Sequence, residues 1–215
     1  RWENYIEKLK NNWTETVSED DTVVIPGDIS WGMGFDTAAE DLTFIHNLPG
    51  RKIIGKGNHD YWWQTMAKLN RFKEELGADS IDFLFNNAYL CEDFIIAGTR
   101  GWTLEANYSE EDLKIVNREA GRLRMSLEAA KKLGETTLGT ETVVFLHYPP
   151  SFGGIVCRQL VDVMHEYGVK RCFYGHIHSV NPAILDRFAD DIPIYCISAD
   201  LIGFKPMKLN KFQAV

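Results

Sequence analysis

The sequence lacks any long hydrophobic run: no apolar stretch in its 215 residues reaches the ~20 residues that a membrane-spanning helix needs. Positive charge is also scarce, because 23 Lys and Arg stand against 31 Asp and Glu and leave a formal net charge of −8. General nucleic-acid binders and proteins of anionic membrane surfaces present basic faces instead. We therefore expect no general nucleic-acid binding and no membrane partner.

Cysteine is rare as well, with four residues spread far apart along the chain: Cys91, Cys157, Cys172 and Cys196. No two of them form a CxxC pair, so their spacing favours neither a zinc knuckle nor a disulfide framework. They are predicted to be core thiols in a reducing compartment, which favours a cytoplasmic location. The sequence begins with Arg1, so a signal peptide or an earlier strand would not be visible in it.

Short apolar, β-branched runs alternate along the chain with segments of helical periodicity. Most predicted strands are continuously apolar, as in sheets that helices cover. The pattern predicts one α/β layered domain over residues 1–215, with a helical insert at about 109–134 whose charged face is solvated. Strands are predicted at 22–25, 52–54, 81–85, 94–97, 142–146, 171–174 and 194–197, and helices at 2–17, 37–46, 63–76, 109–133 and 158–167.

Polar side chains follow four of the predicted strands at their carboxyl ends, where open α/β sheets form the crevice that binds ligands. Asp28 offers a carboxylate that can bridge two cations, Asn58 offers an amide oxygen, and the histidines offer imidazoles. Each residue alone is most simply a turn residue or a structural histidine. Together at one sheet edge they favour a metal centre. The segments are Gly27-Asp28, Gly57-Asn58-His59-Asp60, His147 and Gly175-His176-Ile177-His178.

The spacing of His176 and His178 leaves two arrangements open. In an extended segment both rings point to the same side, whereas a turn directs them to different metals. His46 and His165 lie in predicted helices without polar neighbours that suggest a site, and they are interpreted as structural or surface residues.

In this order the segments resemble the calcineurin-like metallophosphoesterase superfamily, over about 150 residues from Gly27 to His178. The resemblance implies an α/β fold, a four-layer α/β/β/α sandwich with two central mixed sheets and two metals at one end. By resemblance Asp28 bridges the metals, Asn58, His147 and His176 complete one site, and His178 belongs to the other.

The family pattern also assigns roles beside the metals. By resemblance His59 contacts the phosphate and acts as general acid on the leaving group, while Asp60 orients it. Arg100 follows a predicted strand and is a candidate phosphate clamp, with a surface or salt-bridged role as the alternative. Several loop aromatics, Trp31 and Tyr61 among them, either wall a cleft that stacks a flat group or pack between layers. Packing is favoured for Trp62 and Trp63.

The sequence departs from the family pattern at two points. No Asp-x-His precedes Asp28, where only a helix is predicted. We expect that a strand and loop of roughly 20–30 residues is missing from this chain, and that its removal would weaken the second metal. Trp31 occupies a position that is acidic in many members.

The resulting prediction is a metal-dependent phosphoesterase that hydrolyses phosphomonoester or phosphodiester bonds of a small phosphorylated substrate. A dinuclear centre of manganese, iron or zinc would supply a metal-activated hydroxide. One enzymatic alternative cleaves a pyrophosphate or a cyclic nucleotide at the same centre. The alternative from another class is a non-catalytic protein-binding scaffold that retains the fold, but such a scaffold has no need of His59, Asn58 and His147 together. The sequence does not indicate an oligomeric state.

Overall fold

A computed structural model describes residues 2–211. The helices are α1 (Tyr5–Thr16), α2 (Phe35–His46), α3 (Met66–Leu76), α4 (Glu110–Thr136) and α5 (Arg158–Glu166). The strands are β1 (Thr22–Ile25), β2 (Arg51–Ile54), β3 (Ile81–Phe83), β4 (Tyr89–Cys91), β5 (Phe94–Thr99), β6 (Glu141–Leu146), β7 (Ser151–Phe152), β8 (Ile155–Val156), β9 (Cys172–Tyr174), β10 (Phe188–Ala189) and β11 (Ile192–Cys196).

The strands form two central sheets and one small hairpin. A three-stranded sheet in the order β1-β2-β3 is parallel throughout. A six-stranded sheet in the order β10-β11-β9-β6-β5-β4 is parallel inside and antiparallel at both edges. The larger sheet is therefore mixed as expected, whereas the smaller one is purely parallel within the described residues. Strands β7 and β8 pair with each other.

Alternating side chains place the two sheets face to face between helices. Ile53, Ile96 and Val143 point into a core between the sheets. Their neighbours Ile54 and Val144 point outward, the first toward α1, α2 and α3 and the second toward α4 and α5. Because both faces of each sheet are buried, the strands are continuously apolar. The four-layer α/β/β/α arrangement is thereby confirmed.

Helix α4 differs from the predicted insert. Its Ser109 cap is as expected, since the Ser109 Oγ accepts the Asp112 backbone N–H at 3.1 Å. The helix does not end before Gly134, however, and continues to Thr136. It packs its buried residues, such as Leu123, on the outer face of the six-stranded sheet and forms that outer layer. Packing against the sheet outweighs the helix-breaking tendency of one glycine.

Two further expectations concern cysteines and membranes. All four cysteines are free thiols, and Cys157 and Cys172 are buried. In residues 2–211, none of the helices combines the length and the apolar character that crossing a bilayer requires.

Candidate metal centre and active site

Four donor side chains, here called the donor cluster, meet at the carboxyl ends of strands from both sheets: Asp28, Asn58, His147 and His176. The Asn58 Oδ1 lies 2.7 Å from the His147 Nε2 and 2.9 Å from the His176 Nδ1. These two ring nitrogens are 3.2 Å apart, and the Asp28 Oδ2 lies 3.5 Å from the His147 Nε2. The sequence-predicted ligands of one metal site are thus brought together.

Two glycines allow the loops after β1 and β2 to come this close. Gly27 has a φ of +106°, and a Cβ there would lie 2.3 Å from the Gly57 backbone nitrogen. A Cβ on Gly57 would lie 2.0 Å from the Asp28 Oδ1. Neither position has room for a side chain, which explains why glycine precedes both Asp28 and Asn58.

The hydrogen bonding of His147 shows that the cluster fits a cation. The His147 Nδ1 lies 3.0 Å from the Pro26 carbonyl oxygen, to which it donates its proton, so Nε2 carries a lone pair. The Asn58 Oδ1 is also an acceptor. Their 2.7 Å contact therefore joins two acceptors with no proton between them. A metal ion would satisfy both atoms, and nitrogen and oxygen donors without thiolate suit manganese, iron or zinc.

Burial keeps the cluster histidines neutral. It lowers the pKa of His147 well below the ordinary value of 6.5, although the Asp28 carboxylate opposes the shift. Burial also lowers the pKa of His176. Because a metal binds the unprotonated ring, these shifts leave both imidazoles ready to coordinate at neutral pH.

Asp60 connects the two loops that carry the donor cluster. Its carboxylate accepts hydrogen bonds from both loops and is not bonded to the His59 ring. The expected role of Asp60 in orienting His59 therefore stays a prediction. Burial raises the pKa of Asp60 against the effect of these bonds. The donors are the backbone N–H groups of Asp28, Ile29, Ser30 and Gly57, and the indole of Trp62.

His59 lies beside the cluster and is held by two aromatic residues. The Trp31 indole stacks on its imidazole, with ring centroids 3.8 Å apart and an interplanar angle of 8°. The Tyr61 hydroxyl lies 3.1 Å from the His59 Nδ1, and the His59 backbone N–H donates to the Asp28 Oδ1 at 2.9 Å. Trp31 and Tyr61 are exposed, whereas Trp62 and Trp63 pack in the core as favoured above.

His178 lies outside the donor cluster. The backbone turns at His176, which has a φ of +66°, and again at Ser179, with a φ of +58°, so the two histidines diverge. The His178 Nδ1 lies 2.8 Å from the Asp200 Oδ1, and Trp2 packs edge-on against the His178 ring. Sequence reasoning missed Asp200, although it lies just beyond β11, near the same sheet edge as the other polar residues.

Arg100 is held near the site by a buried carboxylate that sequence reasoning placed on a solvated face. The Glu119 side chain is 1% exposed and lies 3.8 Å from the Arg100 guanidinium. Glu119 also accepts hydrogen bonds from Thr99 and Arg122, each at 2.7 Å. Arg100 packs over the Trp102 ring, and burial lowers its pKa. Arg100 is therefore salt-bridged and mostly buried.

A cavity of about 1740 Å³ opens beside the donor cluster. It is lined by the open edge of β1, by the inner face of the six-stranded sheet at Phe145 and Phe173, and by α1. Asp28, His59 and His178 also line it.

Comparisons with known proteins identify the family and the fold. The model of a family described as calcineurin-like phosphoesterase matches residues 1–180. One solved structure superposes with a TM-score of 0.58 at 13% identity, covering 89% of this chain and 84% of the other. The crystal structure of TT1561 of Thermus thermophilus gives a TM-score of 0.50 at 12% identity, covering 80% and 76%. At these identities the likeness concerns the fold. No curated protein matches significantly.

Proposed function

Because the chain belongs to the calcineurin-like phosphoesterase family of metal-dependent phosphoesterases, we propose that it hydrolyses a phosphomonoester or phosphodiester bond of a small phosphorylated substrate at a dinuclear centre. The observation that carries the proposal is the donor cluster, in which acceptor atoms of Asn58 and His147 meet at 2.7 Å without a proton between them.

The donor cluster would hold the first metal through Asp28, Asn58, His147 and His176. Asp28 and His178 would contribute to holding a second metal. The Asp200 carboxylate supports this assignment because it binds His178 Nδ1 and leaves Nε2 free, as in many metal-ligating histidines. When bound, the metals supply Lewis-acid stabilisation of the phosphoryl charge and a nucleophile at neutral pH.

The protein's own groups would position the substrate and move a proton. The His59 Nδ1 is engaged with Tyr61, so Nε2 is the nitrogen that can donate a proton to the leaving oxygen. Arg100 is the candidate for contact with a substrate anion, and Glu119 would hold its guanidinium in place. The backbone supports both roles, since the His59 N–H donates to the Asp28 Oδ1 and the Arg100 carbonyl oxygen accepts the N–H of His147.

The test combines metal analysis with hydrolysis of mono- and bis-p-nitrophenyl phosphate by purified protein in manganese. We expect bound metal and turnover of at least one ester, and the preferred ester separates a monoesterase from a diesterase. The variant His59→Ala should keep its metal and lose at least about 100-fold in kcat. His165→Ala is the matched control, because His165 pairs with Asp191 away from the donor cluster. Bound metal without turnover of phosphate esters would contradict the proposal and favour a scaffold.

A further inference from the structure

Trp31 combines high exposure with a defined contact. The residue is 68% exposed, yet its ring lies flat on His59 at a centroid distance of 3.8 Å. An exposed side chain contributes little to a hydrophobic core, so folding alone does not account for this placement. The neighbouring Met33 is 76% exposed in the same loop.

The loop that carries Trp31 is anchored on both sides of it. Before Trp31, the backbone N–H groups of Ile29 and Ser30 donate to the Asp60 Oδ1 at 2.9 and 3.2 Å. After it, the Gly32 N–H donates to the Ser30 Oγ at 3.1 Å. A Cβ on Gly32 would lie 2.8 Å from the backbone of α2, so the loop packs closely there. The indole is thus presented by a fixed backbone.

The second restraint on His59 comes from Tyr61. Its hydroxyl lies 3.1 Å from the His59 Nδ1, and the two rings are edge-on at 83°. Trp31 fixes the plane of the imidazole, while Tyr61 fixes its rotation within that plane. Together they leave Nε2 as the nitrogen available to a ligand.

We propose that Trp31 is a positioning residue that holds the His59 imidazole in its working orientation, so that Asp60 orients His59 through the anchored loop and this indole. The inference rests on the proposed function in assigning His59 a role in turnover. It goes beyond that function by naming what fixes the ring. A small displacement of a reacting group costs about 100-fold in rate, so such a restraint has a measurable effect.

The arrangement itself is tested without metal or turnover. In proton NMR of the metal-free chain, stacking on an indole shifts the His59 ring protons upfield, and the loss of these signals in His59→Ala identifies them. We expect Trp31→Ala to remove the upfield shift and Met33→Ala to keep it. His59 signals that are the same in Trp31→Ala and in the unaltered chain would overturn the inference.

The consequence is tested with the manganese-loaded chain on phenyl phosphate and p-nitrophenyl phosphate. Trp31→Ala should lower kcat for phenyl phosphate about 10- to 100-fold with KM unchanged. The loss should be smaller for p-nitrophenyl phosphate, whose leaving group needs less proton donation. Trp31→Phe should restore most of kcat, and Met33→Ala should match the unaltered chain.

Two outcomes would overturn the inference while the proposed function stands. One is an unchanged kcat in Trp31→Ala. The other is a rise in KM, equal for both esters, which would assign the indole to substrate binding. If the unaltered chain hydrolyses neither these monoesters nor bis-p-nitrophenyl phosphate, the proposed function fails instead. The NMR measurement then still decides whether Trp31 holds the ring.

Discussion

The two sides of Asp28 differ in how completely their donor atoms are assembled. On one side, Asn58, His147 and His176 bring three potential metal-ligand atoms within 3.2 Å of one another. On the other side, His178 has turned away and binds Asp200. The first group follows three buried strands, whereas His178 lies between His176 and Ser179, two residues with positive φ. The strand ends thus bring the donor atoms of the first side together, whereas the turned segment carries the His178 ring away from them.

The largest effect is expected from a substitution that disrupts the loops carrying the donor cluster. Asp60→Asn removes the charge and one acceptor oxygen from four backbone N–H groups and an indole. We expect a loss of about 3 kcal/mol in the free energy of unfolding, together with weaker metal binding. Urea unfolding of the metal-free protein measures it, with the exposed Asp20→Asn as control. A change within about 0.5 kcal/mol would show that the loops hold without Asp60.

The next effect is on manganese affinity, and it should differ between His176 and His178. His176→Ala removes a ligand atom of the donor cluster and should weaken the tighter manganese site by at least about 100-fold. His178→Ala should change that site by less than about 10-fold, because its ring lies outside the cluster. Calorimetric titration with manganese measures both variants. Equal losses would contradict the division into two sides.

A smaller change sharpens the comparison on the His178 side. Asp200→Asn keeps the size of the side chain but replaces the carboxylate that binds the His178 Nδ1 by a neutral amide. We expect the weaker manganese site to lose about 10- to 100-fold in affinity and the tighter one to stay unchanged. Weakening of the tighter site instead would show that Asp200 supports the donor cluster.

The last prediction is a pH dependence on the His147 side, which develops gradually as the pH falls. Burial lowers the pKa of His147 and of His176 below 6.5 in the folded protein. As the pH falls below 6.5, the unfolded chain binds more protons, so the metal-free protein should lose up to about 1.4 kcal/mol per pH unit for each histidine. Urea unfolding between pH 7.5 and about 5 measures this slope. His147→Gln should reduce it, and the control His165→Gln should leave it in place.

Much of the fold and the donor cluster could be predicted because the residues that determine them lie next to one another in the sequence. A β-branched run such as Thr22–Ile25, followed by glycine and a polar residue, indicates both a buried strand and the position where a side chain can reach a ligand. The same argument placed Asn58, His147 and His176 at one edge. The strands that escaped prediction, β4, β7, β8 and β10, have only two or three residues each and are too short to show a hydrophobic period.

Other parts of the site depend on contacts across the chain. Asp60 binds loop N–H groups 30 to 32 residues away, and nothing in its own segment indicates which groups a carboxylate will accept. The stacking of Trp31 on His59 depends equally on the fixed loop between β1 and α2. Glu119 was predicted to be solvated because it lies in a charged run, yet Thr99 and two arginines bury it.

The bonds of Asp60 also govern how the site opens. Its carboxylate accepts hydrogen bonds from the backbone N–H groups of residues 28–30 in one loop and of Gly57 in the other. If either loop moved away, the buried carboxylate would lose hydrogen-bond donors, which is energetically costly. Amide hydrogen exchange at these four positions should therefore proceed through one shared opening event, at a common free energy. The two loops then open and close as one cooperative unit, so that the donor cluster forms or is lost as a whole.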